Sequence, residues 1–152
     1  MRYMIQLVKS ASVSIGGRLI SEIGYGEVVL YGFKSQDNEK IVDKMIDKLL
    51  KLRIFPDDSG KTNCSINEVH GQLLAVSQFT LYASVCEGNR PAFNICMPSD
   101  QARHLSEYFE KRLIEKFPSA KFGIFQTDMQ VQLINDGPFS LILDSEELNY
   151  EG

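Results

Sequence analysis

The sequence predicts an α+β fold in which a largely antiparallel, barrel-like β-sheet core carries two main amphipathic helices. Three observations support it: short β-rich segments fill the first third of the chain, two stretches have apolar residues at helical spacing, and further short strands follow the second stretch. The sequence contains no repeat, no low-complexity tract and no linker long enough to divide it. We therefore predict one domain over residues 1–152.

The first third of the chain is typical of a β-meander. Short runs rich in β-branched and aromatic residues alternate with turn formers, namely Gly16-Gly17 and the turn from Gly24 to Gly26. The predicted strands cover residues 3–8, 12–15, 18–23 and 27–33.

Two helices are predicted from the spacing of apolar residues. In the first, which we expect from residue 37 onward, Ile41, Met45 and Leu49 share one face and charged residues occupy the other. The second follows a polar loop over residues 86–98, and Ser99 is its expected N-cap. Its apolar stripe consists of Ala102, Leu105, Phe109 and Leu113.

The remaining strands lie between and after the helices. Residues 73–82 form a run too apolar to have one face in water, which predicts a central buried strand. The tail predicts strands over residues 121–125, 129–134 and 139–143. Between the last two, Asn135-Asp136-Gly137-Pro138 favours a hairpin turn, and its Gly-Pro bond is a candidate for the cis form.

Charge and cysteine content restrict the possible functions. The formal net charge of -4 argues against a broad basic face that grips nucleic acid, so any RNA contact must be local. The three cysteines are odd in number and lack CxxC spacing, which argues against a disulfide framework or a structural zinc site and favours a reducing compartment. Because no signal-like N-terminus and no membrane-length apolar stretch are found, we expect a cytoplasmic protein.

Common catalytic arrangements find little support in the residues. Of the two histidines, His70 falls in a predicted loop, where a solvated or capping role is expected, and His104 lies off the apolar stripe of the second helix, at the surface. No cysteine has a recognisable activating context, and the carboxylates are spread over helix faces and turns. The glycine pairs match no nucleotide-binding fingerprint. We therefore expect no metal ion and no cofactor.

Two segments carry groups that need an explanation. In Ser77-Gln78-Phe79-Thr80-Leu81, polar side chains interrupt the most hydrophobic predicted strand, where an unpaired buried polar group costs about 1 to 3 kcal/mol. Ordinary sheet hydrogen bonds would satisfy them, with Thr80 present for its β propensity, and a functional site is the alternative. For residues 135–140 the alternatives are a plain hairpin turn and a sharply bent segment that exposes backbone carbonyl groups.

These segments resemble the D-aminoacyl-tRNA deacylase family, formerly called D-tyrosyl-tRNA deacylases, whose two signature motifs read SQFTL and NxGPxT. Five segments follow one another in the family's order and at its spacing across nearly the whole chain: IQLVKSASVSI, LRIFPDDSGKTN, VSQFTLYA, GNRPAF and DMQVQLINDGPFS. Five ordered segments are a more specific signal than either motif alone.

The resemblance implies a cytoplasmic homodimer that hydrolyses the ester of D-aminoacyl-tRNA and so removes wrongly attached D-amino acids in translation. Its active sites would lie at the subunit interface, each with a pocket for the terminal adenosine of the tRNA 3' end and its aminoacyl group. Each site would be built from SQFTL of one chain and the Gly-Pro of both. The residues implied for catalysis are Ser77, Gln78, Phe79 and Thr80. Those implied for substrate binding and for a chiral gate are Asn135, Gly137, Pro138 and Ser140.

Two residues depart from the family pattern. Ser140 replaces the usual Thr and keeps its hydroxyl group. Leu7 replaces an Arg that is thought to help fix the Gly-Pro element, and this loss raises the question of how firmly the gate is held here.

The mechanism expected from this resemblance needs no histidine. Water attacks the ester carbonyl, and the backbone N–H groups of Phe79 and Thr80 hold the developing oxyanion. Thr80 as a covalent nucleophile ranks second, because no base is visible to activate it. The backbone of Gly137 and Pro138 would exclude an L side chain by clash, so glycyl-tRNA should also be accepted. The alternatives are a nucleic-acid-binding module without catalysis, and a small-molecule hydrolase or binding protein on a similar oligomeric β scaffold.

Overall fold

The structure, a computed structural model that describes residues 1–150, confirms the predicted α+β class. Glu151 and Gly152, the end of the domain predicted over residues 1–152, lie outside the described residues. In chain order the elements are β1 (Arg2–Ile15), β2 (Arg18–Ile23), β3 (Gly26–Gly32), α1 (Glu39–Lys51), β4 (Phe55–Pro56), β5 (Thr62–Cys64), β6 (Gln72–Ser77), a 3₁₀-helix (Phe79–Tyr82), α2 (Ser99–Lys116), β7 (Lys121–Phe122) and β8 (Gln130–Asp144).

The main sheet is built around β1. Along one edge of β1, its first half pairs antiparallel with β3 and its second half pairs antiparallel with β2. The other edge pairs antiparallel with β8. From β3 the sheet continues through two parallel pairs, β3 with β6 and β6 with β7. The sheet is therefore largely antiparallel, as predicted, but its parallel part was not anticipated. β4 and β5 form a separate short antiparallel pair.

The strands predicted over residues 3–8 and 12–15 are one continuous strand, β1. Lys9 and Ser10 are exposed and interrupt the apolar pattern, which is why the sequence suggested a gap. The backbone stays extended because β8 pairs with β1 from Arg2 to Ser14, including Ser10 with Ile134. Pairing with a distant strand thus overrides a local break in polarity.

Three other strand predictions are wrong in part. β6 stops at Ser77 and a 3₁₀-helix begins at Phe79, so the strand predicted over residues 73–82 is wrong after its first half. β8 continues through residues 135–138 without reversing, so the predicted hairpin is wrong and both of its arms pair with β1. The strand predicted over residues 121–125 ends at Phe122.

Both predicted helices are confirmed, and their apolar stripes are buried. In α1 the Asn38 side chain accepts a hydrogen bond from the Ile41 N–H at 3.1 Å. The predicted N-cap of α2 is off by one residue, because Pro98 occupies that position with extended backbone and Ser99 is already helical. The Phe109 ring of α2 lies over the sheet, 4.4 Å from the ring centre of Tyr31. Neither helix of residues 1–150 has the length and apolar character needed to cross a membrane.

Candidate functional site

A cavity of about 570 Å³ opens where the carboxyl ends of β3 and β6 meet the start of α2 and the connection from β7 to β8. Three of the residues predicted for catalysis, Ser77, Gln78 and Phe79, line it, whereas Thr80 lies beside them outside the lining. The remaining walls are formed by residues 31–33, Val76, Met97, Ser99, Ala102, residues 125–129 and Val131. The signature turn, defined as residues 77–82, therefore lies at a cavity large enough for a small-molecule ligand.

The backbone of the signature turn is fixed by contacts with β3 and with Arg2 of β1. The Gln78 N–H donates to Tyr31 O at 2.7 Å, and a Cβ added at Gly32 would lie 2.7 Å from Gln78 O, so only glycine fits there. Arg2 donates to Leu81 O at 2.7 Å, and its guanidinium lies 4.6 Å from the centre of the Tyr82 ring. These contacts fix the turn without using the side chains that it presents to the cavity.

Two neighbouring backbone N–H groups of the turn have no acceptor among residues 1–150. Phe79 and Thr80 open the 3₁₀-helix, and the first N–H groups of a helix have no partner within it. Among the hydrogen bonds of residues 1–150, neither of these two groups is a donor. The Gln78 side chain donates to Thr80 Oγ1, so these two side chains bond each other. Two adjacent N–H donors beside a cavity can stabilise negative charge that develops on an oxygen.

The Phe79 side chain extends the apolar surface of the site toward Phe93. It is 58% exposed, and its ring lies 5.1 Å from that of Phe93. Tyr31 also lines the cavity, but its hydroxyl is bonded to Ser106 Oγ at 2.6 Å, and burial raises the pKa of Tyr31. Tyr31 therefore stays neutral at physiological pH and supplies shape and not acid–base chemistry.

The histidines and cysteines take no part in lining the cavity. His70 lies in a loop with a left-handed φ of 52°, and His104 is exposed on α2 with Nε2 3.9 Å from Glu39. The cysteines Cys64, Cys86 and Cys96 are free thiols. In the part of the chain that the structure describes, no group of three or more His, Cys, Asp and Glu side chains is placed to hold a metal ion.

The wall formed by residues 125–129 was not predicted as part of a site. Gln126 has a φ of 57°, which non-glycine residues adopt uncommonly. Its amide oxygen accepts a hydrogen bond from Arg103 Nη2, and its amide nitrogen donates to Ser99 Oγ. The Arg103 guanidinium also lies 5.3 Å from the centre of the Phe125 ring. The available signal, a polar Gln-Thr-Asp run between two predicted strands, is typical of any loop.

The second predicted group of residues lies on β8, in a segment that we call the Gly-Pro bulge, residues 135–140. The Gly137-Pro138 peptide bond is cis, and Gly137 has a φ of 136°. Asn135 Oδ1 accepts a hydrogen bond from the Phe139 N–H at 2.7 Å, and Asn135 Nδ2 donates to Ser140 Oγ at 3.0 Å. Asn135 and Ser140 thus clamp the bulge and do not line the cavity.

Strand register places the bulge far from the signature turn of the same chain. Ser77 pairs with Tyr31, Tyr31 with Tyr3 and Tyr3 with Leu143, so the turn is level with Leu143 of β8. Three strand spacings of about 4.8 Å separate β6 from β8, and Ser140 lies a further three residues along the strand, about 10 Å. A single chain therefore does not bring its two predicted groups together along the sheet.

Leu7 lies opposite the Gly-Pro bulge. Pairing of β1 with β8 jumps from Gln6 with Ser140 to Val8 with Asn135, which leaves Leu7 facing the bulged residues. Leu7 is 4% exposed and is paired on its other side with Glu27 of β3. Glu27 is 1% exposed, its Oε1 has no hydrogen-bond partner in residues 1–150, and burial raises the pKa of Glu27 to about 8. An uncharged carboxyl group thus lies beside Leu7 at pH 7.

A family model described as D-Tyr-tRNA(Tyr) deacylase matches residues 4–144 of the chain. A "D-aminoacyl-tRNA deacylase" of Lactobacillus helveticus (strain DPC 4571) is 45% identical over 144 residues, which are 95% of this chain and 99% of the relative. One of Chlorobaculum parvum (strain DSM 263 / NCIMB 8327) is 48% identical over 146 residues, 95% of this chain and 98% of the relative.

The solved structures that resemble the chain include two with TM-scores above 0.8. That of the "c-Myc DNA Unwinding Element Binding Protein" has a TM-score of 0.90 and 40% sequence identity, and the match covers 95% of this chain and 99% of that one. That of a "probable eukaryotic D-amino acid tRNA deacylase" has a TM-score of 0.83 and 16% identity, covering 93% and 97%. At this low identity the second likeness shows the fold alone.

Proposed function

The chain belongs to the D-Tyr-tRNA(Tyr) deacylase family, and on this premise we propose that it hydrolyses the ester between a D-amino acid and the 3' end of its tRNA. The observation that carries the proposal is the pair of unpartnered N–H groups, those of Phe79 and Thr80, beside the cavity. The cavity volume of about 570 Å³ suits a terminal adenosine with its aminoacyl group. Such an enzyme acts in chiral proofreading during translation, in the cytoplasm.

The proposed mechanism is attack by water on the ester carbonyl carbon. The Phe79 and Thr80 N–H groups stabilise the oxyanion, the bond from carbon to the ribose oxygen breaks, and the products are the free amino acid and the tRNA 3' hydroxyl. No histidine lines the cavity, so the proton transfers need another group. We assign this role to the vicinal ribose hydroxyl of the substrate. Catalysis then consists mainly of positioning and polarising an ester that is already activated.

The proposed chiral gate is Gly137 and Pro138 of the partner subunit in a homodimer. Along the sheet, the bulge of the same chain lies three strands away from its own signature turn, whereas a second copy could present its bulge to the cavity directly. Two apolar residues of β8 beside the bulge, Ile134 and Ile142, are 56% and 45% exposed, and a second copy would cover them. The gate backbone occupies the space that an L side chain needs, while a D side chain points outward.

One assay series tests both the activity and the gate: release of amino acid from D-tyrosyl-, L-tyrosyl-, glycyl-, D-alanyl- and L-alanyl-tRNA at equal enzyme concentration. We expect rapid hydrolysis of the two D esters and of glycyl-tRNA, and resistance of both L esters. Glycyl-tRNA as resistant as L-alanyl-tRNA would contradict selection by clash, since glycine has no side chain to exclude. Equal hydrolysis of D- and L-tyrosyl-tRNA would contradict the chiral function itself.

A second candidate is a nucleic-acid-binding module without catalysis. The name of the solved structure that is 40% identical, a DNA unwinding element binding protein, favours it. The net charge of -4 weighs against it, because sequence-independent affinity for nucleic acid comes mostly from neutralised phosphates. Filter binding to uncharged RNA and to DNA at low salt separates the two, since a deacylase of this kind should bind both weakly.

A further inference from the structure

Resting on the proposed function, we propose that Arg103 binds the phosphodiester that precedes the terminal nucleoside of the tRNA, and that Gln126 holds its guanidinium at the cavity rim. Arg103 follows Ala102 on α2, and Ala102 lines the cavity. The guanidinium donates to Gln126 and lies over the Phe125 ring, and both of these residues also line the cavity. Arg103 does not itself line the cavity, but its charged group is held against two residues that do, Phe125 and Gln126.

The positive charge of Arg103 has no carboxylate partner among residues 1–150. No carboxylate of residues 1–150 lies within 4.0 Å of its guanidinium, although Asp100 and Glu107 stand three and four positions away on the same helix. Arg2 and Arg112, in contrast, are paired with carboxylates at 2.7 and 2.8 Å. Because its partners are neutral, the ordered guanidinium remains available to an anion.

The left-handed backbone of Gln126 fits this role. A non-glycine residue at this φ is disfavoured, so a side-chain function is expected to compensate. Both polar atoms of the Gln126 amide are used, one toward Arg103 and one toward Ser99. The side chain thus acts as a bracket that ties the guanidinium to the start of α2.

A phosphate is the anion that the proposed reaction brings to this rim. With the ester carbonyl at the Phe79 and Thr80 N–H groups, the terminal nucleoside must fill the rest of the cavity, and its ribose always carries a phosphodiester on the 5' side. The protein is acidic overall and Asp128 lines the cavity, so attraction for this phosphate must come from a local cation. The planar fork of arginine matches two phosphate oxygens.

The kinetic test compares two substrates, D-tyrosyl-tRNA and 3'-O-D-tyrosyl-adenosine, which lacks the phosphodiester. For Arg103→Gln we expect KM for the tRNA substrate to rise about tenfold with kcat unchanged, and both constants for the adenosine ester to stay at the wild-type value. Gln126→Ala should act in the same direction by about threefold, because the charge remains but loses its bracket. The matched control is Arg53→Gln, since Arg53 is also held by a neutral amide, that of Asn63, and does not line the cavity.

A binding experiment tests the same contact without catalysis. Calorimetry with adenosine and with adenosine 5'-monophosphate should show tighter binding of the phosphorylated ligand to the wild-type protein and loss of that preference in Arg103→Gln. An Arg103→Gln variant that keeps the preference, or whose KM rises equally for both esters, would overturn the proposal in favour of a structural role. If the wild-type protein hydrolyses neither ester yet still prefers the monophosphate, the proposed reaction fails and the phosphate contact stands.

Discussion

The signature turn and the Gly-Pro bulge use their hydrogen-bonding groups in opposite ways. In the turn, the backbone is held by Arg2 and by strand pairing, and two N–H groups are left without an acceptor beside a cavity. In the bulge, Asn135 uses both its amide atoms to bond the neighbouring Phe139 N–H and Ser140 hydroxyl. The first segment leaves two donors unused beside a cavity, and the second uses its side-chain groups to fix its own backbone.

This contrast determines which substitutions should matter in each region. Functional groups supplied by the backbone survive truncation of their own side chains, so residues 79 and 80 should tolerate alanine. A backbone shape clamped by side chains does not survive loss of the clamp, so Asn135 should be sensitive.

The largest effect is expected from Phe79→Pro compared with Phe79→Ala. Proline lacks the N–H, is favoured at the first position of a helix, and here follows Gln78, whose φ of -148° and ψ of 85° are not helical. We expect single-turnover hydrolysis of D-tyrosyl-tRNA to fall about 10²- to 10³-fold below that of the alanine variant, which controls for loss of the ring. If the proline and alanine variants hydrolyse the substrate at rates within a few-fold of each other, the Phe79 N–H does not stabilise the oxyanion.

Next in size is a gain of stability from Glu27→Leu in the core beside Leu7. The folded-state pKa of Glu27, about 8, lies above its ordinary value of 4.5, so the folded protein keeps a proton that the unfolded chain releases. Folding stability is therefore lost as pH rises from about 4.5 to 8, by about 1.4 kcal/mol per pH unit. Denaturant unfolding should show a gain for Glu27→Leu of about 3 kcal/mol at pH 7 that shrinks toward pH 5. Exposed Glu22→Leu is the control, and a pH-independent gain at position 27 would contradict this account.

A smaller effect is expected when the clamp of the bulge is removed by Asn135→Ala. Two hydrogen bonds are lost, at a cost of about 1 to 3 kcal/mol, and the proposed gate loosens. The ratio of D-alanyl- to L-alanyl-tRNA hydrolysis should fall about tenfold, while the D rate changes little. Asn135→Asp keeps the acceptor for the Phe139 N–H, so its ratio of D- to L-alanyl-tRNA hydrolysis should lie between those of the wild type and of Asn135→Ala. Unchanged discrimination in the alanine variant would mean that Asn135 does not hold the gate.

The smallest effect is expected from Thr80→Ala. The Thr80 hydroxyl accepts a hydrogen bond from Gln78 and does not line the cavity, and the N–H that we invoke belongs to the backbone. Single-turnover hydrolysis should stay within about threefold of the wild-type rate. A loss of several orders of magnitude would favour Thr80 as a covalent nucleophile.

Local patterns predicted the helices well, because a buried stripe such as Ile41, Met45 and Leu49 depends only on neighbours along the chain. Local patterns failed where pairing with a distant segment determines the secondary structure. Nothing near Lys9 and Ser10 shows that β8 will pair alongside them, and nothing in residues 77–82 distinguishes the continuation of a strand from a 3₁₀-helix. The turn-forming residues 135–138 correctly suggested a cis Gly-Pro bond, but this bond lies within a continuous strand and not in a hairpin turn.

The candidate site was predicted to a similar extent. The resemblance named Ser77, Gln78 and Phe79, which line the cavity, but the wall of residues 125–129 and its bracket to Arg103 depend on contacts between segments far apart in sequence. The clamping roles of Asn135 and Ser140 likewise required their side-chain geometry. The motifs predicted which segments belong to the site, and the three-dimensional contacts show which groups each side chain bonds.

The pairing of β1 with β8 also sets an order of events during synthesis. β1 leaves the ribosome first, and the strand that fills one of its edges emerges only after both helices and the remaining strands have been made. Until then, one edge of β1 is an open template for pairing with other nascent chains. A chain arrested before residue 130 would already contain the signature turn but would lack both the Gly-Pro bulge and the cover for that edge. For this fold, arrest before residue 130 is therefore expected to leave a fragment with an uncovered strand edge, and such edges promote aggregation.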